Sequence, residues 1–301
     1  MPFPTPLLGA VEAGGTKFVC AVGTGPSDIR ATTRIATTTP DETLGRVIEF
    51  FRGHESVAAL GVGAFGPLDL CTDSPTFGFI TSTPKVGWRD CNIVGTLRGA
   101  LRIPVVIDTD VNAAAIGEHR WGAARDVEHV LYMTVGTGIG GGVLVQGAPL
   151  HGAQHPEIGH MPVPHDRSRD AYAGCCPFHG DCLEGLASGP ALHARWGRPG
   201  ETLPDDHPAW PLEAHYLALS LVTCIYTLAP ERIILGGGVM QRTHLFPLVR
   251  AEVNALINGY VTTPVLDELI VPPALGNDAG MLGALALAER ALADAAKRDT
   301  I

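Results

Sequence analysis

The chain reads as an α/β protein of two lobes built on a duplicated core, with a cleft between them. Three observations predict this. Apolar runs of strand length alternate with segments of helical spacing along most of the 301 residues. The pattern of strand, glycine turn and returning strand occurs twice, near residues 14 and 138, which points to two halves of like topology. The length also suffices for two domains of ordinary size.

Residues 7–13 read as a buried strand, interrupted by Gly14-Gly15-Thr16-Lys17 and resumed over 18–22 as a hairpin. Residues 31–36 are a candidate third strand, and 41–52 have helical spacing after the start signal of Pro40. Residues 57–62 form a buried strand that runs into the loop 63–69, and 71–88 is loop-like. A helix over 92–101, a strand over 105–107 and an alanine-rich helix over 111–121 follow. The opening pattern then recurs as strand 130–135, glycine turn 136–141 and strand 142–145. Beyond a segment rich in cysteine and histidine come helices over 184–196 and 213–228. Next are strand 232–235, ending in Gly236-Gly237-Gly238, and a helix over 245–258. Strand 268–271 and a helix from 279 to about 296 complete the pattern. The expected division is a smaller lobe over 1–112 and a larger one over 113–283 that carries a zinc-binding segment at 155–184. The last helix, 284–301, is expected to pack on the first lobe.

With 46% hydrophobic and 17% charged residues, the composition is that of a soluble globular protein. A formal charge of −10 and the lack of a basic cluster argue against a nucleic-acid partner. No apolar run reaches ~18 residues and the N-terminus lacks a signal-peptide pattern, so no membrane partner is expected. Seven cysteines, two of them in a ligand cluster, suit the reducing cytoplasm better than a disulfide framework.

That cluster is the most specific chemistry in the chain. His160, followed by Cys176, His179 and Cys182 in the spacing Cys-x2-His-x2-Cys, offers the four nitrogen and sulfur donors of a closed tetrahedral zinc site. Four protein ligands leave no open position, so the zinc is expected to be structural; Cys175 is the surplus donor. Glu157 and Glu184 flank the cluster without being needed as ligands. Carboxylates held by such a cross-link are placed to grip hydroxyl groups, which suggests a sugar site. Three glycine turns, at Gly14-Gly15, 136–142 and Gly236–Gly238, each end a strand and are candidate phosphate nests, with Thr16 and Thr137 adding hydroxyl donors. Glu12, just before the first turn, is placed to orient Mg²⁺ through water. Asp110, between a strand and a helix, has two readings: a helix N-cap, or a general base that takes a proton from an attacking hydroxyl.

Taken together, Glu12–Lys17, the run 108–115, the glycines 136–142, Glu157-x2-His160 and the cysteine cluster resemble the ROK family of sugar kinases and repressors, and within it the bacterial fructokinases. The likeness covers about residues 11–283, with the motifs in order. It implies the actin-like ATPase (ribonuclease H-like) fold, with ATP and sugar meeting in an interlobe cleft. By that resemblance Asp110 is the base, and Gly66, Pro67, Asn112, Glu157, His160 and Glu184 line the sugar pocket, His160 also ligating zinc. Contacts to ATP are implied for Gly14, Gly15, Thr16, Lys17, Thr137, Gly138, Pro190, Gly236, Gly237 and Gly238. The implied reaction is ATP- and Mg²⁺-dependent phosphorylation of D-fructose at its 6-hydroxyl by a homodimer. The Cys-x2-His-x2-Cys spacing and Thr83-Pro84-Lys85-x-Gly87-Trp88 favour fructokinase; Glu12 and Thr109 depart from the wider family pattern. The alternatives are a kinase for mannose or glucose, a sugar-responsive repressor and a sugar sensor without catalysis. A repressor would need a DNA-binding module before the first strand, where six residues stand.

Overall fold

The computed structural model describes residues 5–54 and 56–298. Strands β1 (Leu7–Ala13), β2 (Lys17–Gly25) and β3 (Asp28–Ala36) form an antiparallel meander, with β1 and β2 mostly buried and β3 alternating toward solvent. Helix α1 (Pro40–Arg52) starts where the Thr39 hydroxyl caps the amide of Glu42, and Pro40 fills a first-turn position that needs no N–H. Its buried face, Leu44, Val47 and Phe51, belongs to the core that also takes in Phe18, Leu60 and Trp88. β4 (Val57–Ala64) joins β1 in parallel. The segment expected to be loop contains a short strand, β5 (Phe79–Ile80), which pairs with β6 (Cys91–Asn92). Asn92 caps α2 (Ile93–Leu101); β7 (Val105–Thr109) then lies parallel to β4, and α3 (Asp110–Trp121) follows without a loop.

The second sheet repeats this plan. β8 (Val130–Val135) and β9 (Ile139–Val145) form a hairpin, followed by β10 (Ala148–Pro149). Helices α4 (Leu183–Ala187), α5 (Gly189–Trp196) and α6 (Ala209–Leu228) precede β11 (Arg232–Gly236), which lies parallel to β8. α7 (Leu245–Ile257), α8 (Leu266–Leu269) and β12 (Ile270–Val271) follow, β12 parallel to β11. The two sheet orders, β3-β2-β1-β4-β7 and β10-β9-β8-β11-β12, are the same pattern, so the core is duplicated as the repeated glycine turns predict.

Three local expectations are corrected. The single helix over 184–196 is two helices, broken at Ser188, whose hydroxyl caps Ala191 N–H while Pro190 stands in the first turn of α5. Of the strand expected over 268–271, the first two residues belong to α8. The glycine turn ends at Gly138, because Gly140, Gly141 and Gly142 are strand residues of β9.

The described residues fall into two units. One comprises those up to Arg125, Ala148–His155 and those from Asn277 on; the other comprises Asp126–Gly147 and Pro156–Gly276. In the first, α9 (Ala279–Arg298) packs on α3 and β4 through glycines. A Cβ on Gly61 would lie 1.9 Å from the Ala284 carbonyl oxygen, and one on Gly283 would lie 1.6 Å from that of Ala113. Among the described residues no helix is long and apolar enough to cross a membrane.

Candidate active site

In open α/β sheets ligands gather at the carboxyl ends of parallel strands, and there β7 delivers Asp108-Thr109-Asp110-Val111-Asn112. Thr109 has extended backbone and its hydroxyl accepts the Asn112 N–H at 3.1 Å, so Thr109 is the helix cap. Asp110 is the first helical residue, which removes the capping alternative for it; its Oδ1 accepts the Val111 N–H at 2.9 Å. Asp108 is buried, and its Oδ1 accepts from Thr109 N–H at 2.8 Å and from Asn112 Nδ2 at 2.7 Å. His151 brings Nε2 to 3.2 Å from the same oxygen. Asn112 is 1% exposed, yet among the described residues its Oδ1 has no hydrogen-bond partner.

Glu12, near the end of β1, shares this unit with Asp110. Burial and then the Asp110 charge push its carboxyl up to about 7, with Asp278 adding and Lys17 and Arg34 opposing. Gly280 makes room for it, since a Cβ there would stand 2.9 Å from Glu12 Oε1. The turn after β1 is closed by Gly14 N–H donating to Lys17 O at 3.0 Å, and Gly15, Thr16 and Lys17 are exposed. The Gly66-Pro67 peptide is cis, and the next amide, Leu68 N–H, donates to His155 Nε2 at 3.1 Å.

In the second unit a turn over Ile158–His160 carries the first member of the metal cluster. Glycines let that turn lie on β9: a Cβ on Gly159 would come within 1.7 Å of Ile139 O, and one on Gly141 within 2.7 Å of Ile158. This is the physical reason for a glycine at position 141 of the strand. The donor atoms of His160, Cys176, His179 and Cys182 all lie within 4.8 Å of one another. Cys176 Sγ is 3.7 Å from His160 Nδ1 and 3.6 Å from His179 Nδ1, and Cys182 Sγ is 3.7 Å from His160 Nδ1. A tetrahedral ion with bonds of about 2.0–2.3 Å needs donor separations of about 3.3–3.8 Å, and these three fall in that range, which makes the set a candidate site for one metal ion. Cys175 lies outside the group and is exposed. Glu184, in the first turn of α4, accepts the Ile139 N–H on Oε2 at 2.9 Å. Gly138 leaves space for that carboxylate, while Glu157, just before the turn, is exposed.

The same unit holds a cavity of about 1170 Å³, bordered by Thr137, Pro190, His193, Trp210, Gly238 and Arg242 among others. It opens where β8 and β11 end and α5 begins, with Gly189 N–H donating to Gly136 O at 2.7 Å. Gly237, at φ +90, abuts Val135, where a Cβ would lie 2.4 Å from its carbonyl oxygen; one on Gly236 would lie 2.5 Å from the Tyr132 hydroxyl. Of this glycine triplet, Gly238 borders the cavity and its two neighbours allow close packing on β8. The volume is sufficient for a nucleotide.

Residues 8–291 match the ROK family. The chain belongs to the ROK family. Among ROK relatives it is 47% identical over 290 residues to a putative fructokinase of Bacillus subtilis, covering 95% of this chain and 96% of the relative. It is 46% identical over 289 residues to the fructokinase of Pediococcus pentosaceus, covering 96% and 100%. The solved ROK glucokinase of Streptomyces griseus, in complex with glucose and AMPPNP, superposes with a TM-score of 0.76 at 25% identity, covering 94% of this chain and 99% of that one. The doubled sheet is that of the actin-like ATPase fold shared by these ROK kinases. Sequence reasoning passed over Asp108, His151 and His155. Asp108 stood inside the quoted motif, but nothing in the spacing links it to a histidine 43 residues on.

Proposed function

We propose that this ROK protein is a fructokinase that transfers the γ-phosphoryl group of ATP to the 6-hydroxyl of D-fructose, giving fructose 6-phosphate and ADP. The observation that carries the reading is the start of α3, where Thr109 does the capping and the Asp110 carboxylate, on the first helical residue, is not the cap. Likeness at 46–47% to fructokinases over nearly the whole chain supports fructose as the acceptor.

Phosphoryl transfer asks mainly for alignment and charge neutralisation. Asp110 accepts the proton of the 6-hydroxyl as that oxygen bonds to the γ-phosphorus. The bond from phosphorus to the β-γ bridging oxygen breaks, and ADP leaves. Asn112, Glu157, His160 and Glu184, with Gly66 and Pro67, hold the sugar. Glu184 has one oxygen committed to Ile139 N–H, which fixes the carboxylate in place. Thr137, Gly138, Pro190 and the Gly236–Gly238 turn serve the nucleotide, as does the Gly14–Lys17 turn. Bound with ATP, Mg²⁺ supplies neutralisation of phosphate charge. Burial first, and then repulsion from Asp110 and Asp278, raises the Glu12 pKa, and a divalent cation relieves that repulsion.

The metal at His160, Cys176, His179 and Cys182 is proposed to be zinc, which supplies a cross-link for a segment with little regular structure. A cytoplasmic homodimer completes the reading, checked by light scattering. ADP release with fructose, mannose, glucose and N-acetylmannosamine tests the function. Fructose is expected to give the highest kcat/KM. Turnover of another hexose in its place would overturn the acceptor, and turnover of none would overturn the kinase.

A further inference from the structure

His151 lies two residues beyond β10, in the segment Ala148–His155 that belongs to the first unit. Its Nε2 is 3.1 Å from Oδ2 and 3.2 Å from Oδ1 of Asp108, and 3.5 Å from Asn112 Nδ2. An ionised carboxylate only accepts, so Nε2 carries the ring proton and Nδ1 of the neutral ring is an acceptor. The Asp108 hydrogen bond raises the His151 pKa, which favours a second proton and would make Nδ1 a donor. The two partners are unequally buried: the Asp108 side chain is 4% exposed and that of His151 is 39% exposed. One edge of the ring therefore rests on a buried carboxylate, while Nδ1 has no hydrogen bond among the described residues.

Asn112 is arranged in parallel. Its Nδ2 donates to the same Asp108 oxygen, which settles the orientation of the amide, and Oδ1 is left buried and, among the described residues, unpaired. One carboxylate thus orients two side chains, each with a spare hydrogen-bonding atom. A buried acceptor without a partner is a standing cost that a ligand hydroxyl removes.

We propose that His151 is a sugar-binding residue, joined through Asp108 to Asn112, and that the two side chains read hydroxyl groups of the sugar. The inference rests on the kinase reading above and adds a contact to it. Asp108 acts through the other two as a positioning residue. In hydrogen-bonding one hydroxyl, Asn112 Oδ1 accepts, while His151 Nδ1 accepts or donates according to its protonation.

The test uses the full-length protein with His151→Ala and His151→Gln, whose amide keeps a donor for Asp108. Three quantities are read: KM for the preferred sugar, KM for ATP, and sugar affinity by calorimetry without nucleotide. Loss of a hydrogen bond of this kind corresponds to about a 10-fold effect or more. The expected result is a sugar KM and dissociation constant raised about 10-fold or more in His151→Ala, partly restored in His151→Gln, with the ATP KM unchanged. The His151 ring proton resonances should also shift when sugar is added to the wild type. Unchanged sugar affinity in both variants, or equal rises in both KM values with a lowered melting temperature, would overturn the proposal and leave the kinase intact. A wild type that binds no sugar of the panel would overturn both.

Discussion

Thr109 and Asp110 divide two tasks that either side chain could perform. Thr109 satisfies the open amide of Asn112, so a change at Asp110 leaves the cap in place. Asp110→Asn is therefore expected to melt within about 3 °C of the wild type while losing about 10²–10⁴-fold in turnover. Calorimetry and steady-state kinetics on one preparation check both halves. Glu12 gives a pH signature. Its folded pKa, about 7, lies above the ordinary 4.5, so folding favours its protonated form. As pH rises from 4.5 the unfolded chain ionises first, and stability falls until the folded carboxyl has also ionised above pH 7. Glu12→Gln should match the wild type near pH 4.5 and exceed it at pH 8, by at most about 3 kcal/mol. Urea midpoints at the two pH values decide; an equal margin at both would contradict the assignment.

At the scale of elements, the first unit depends on close approach of α9 to α3 and β4. Gly283→Ala places a methyl against the Ala113 carbonyl and must push α3 and α9 apart. It should destabilise by about 1–3 kcal/mol, read from urea unfolding. A change below about 0.5 kcal/mol would mean that the helices yield freely. How much of this was legible in sequence depends on where the cause lay. β1 and β8 were read to the residue because glycine turns follow them directly. The gap between α4 and α5 was missed although Ser188-Gly189-Pro190 spelled a stop and a start, because the apolar spacing runs on through it. Gly141 of β9 could not be told from a residue of a phosphate turn, since its reason is Ile158, a neighbour only in space. Thr109 as the cap, and His151 on Asp108, likewise depend on geometry that spacing does not encode.

At the scale of the whole molecule, both sheet orders agree, and each unit contributes its own chemistry: a carboxylate–amide–imidazole cluster in one, a candidate metal-binding Cys/His cluster and a nucleotide-sized cavity in the other. Chelation should remove one zinc per chain and abolish hydrogen-exchange protection over 160–182, with β1 and β4 still protected. Full protection after metal loss would make the cluster dispensable. Asp110 is proposed to drive phosphoryl transfer to the 6-hydroxyl of fructose. The direct measurement is phosphorus and carbon NMR of the products formed from ATP, Mg²⁺ and fructose by wild type and Asp110→Asn. Fructose 6-phosphate from the wild type, with the variant slowed about 10²-fold or more, is the predicted result. Phosphate on another hydroxyl, or a variant within about 10-fold of the wild type, would contradict it.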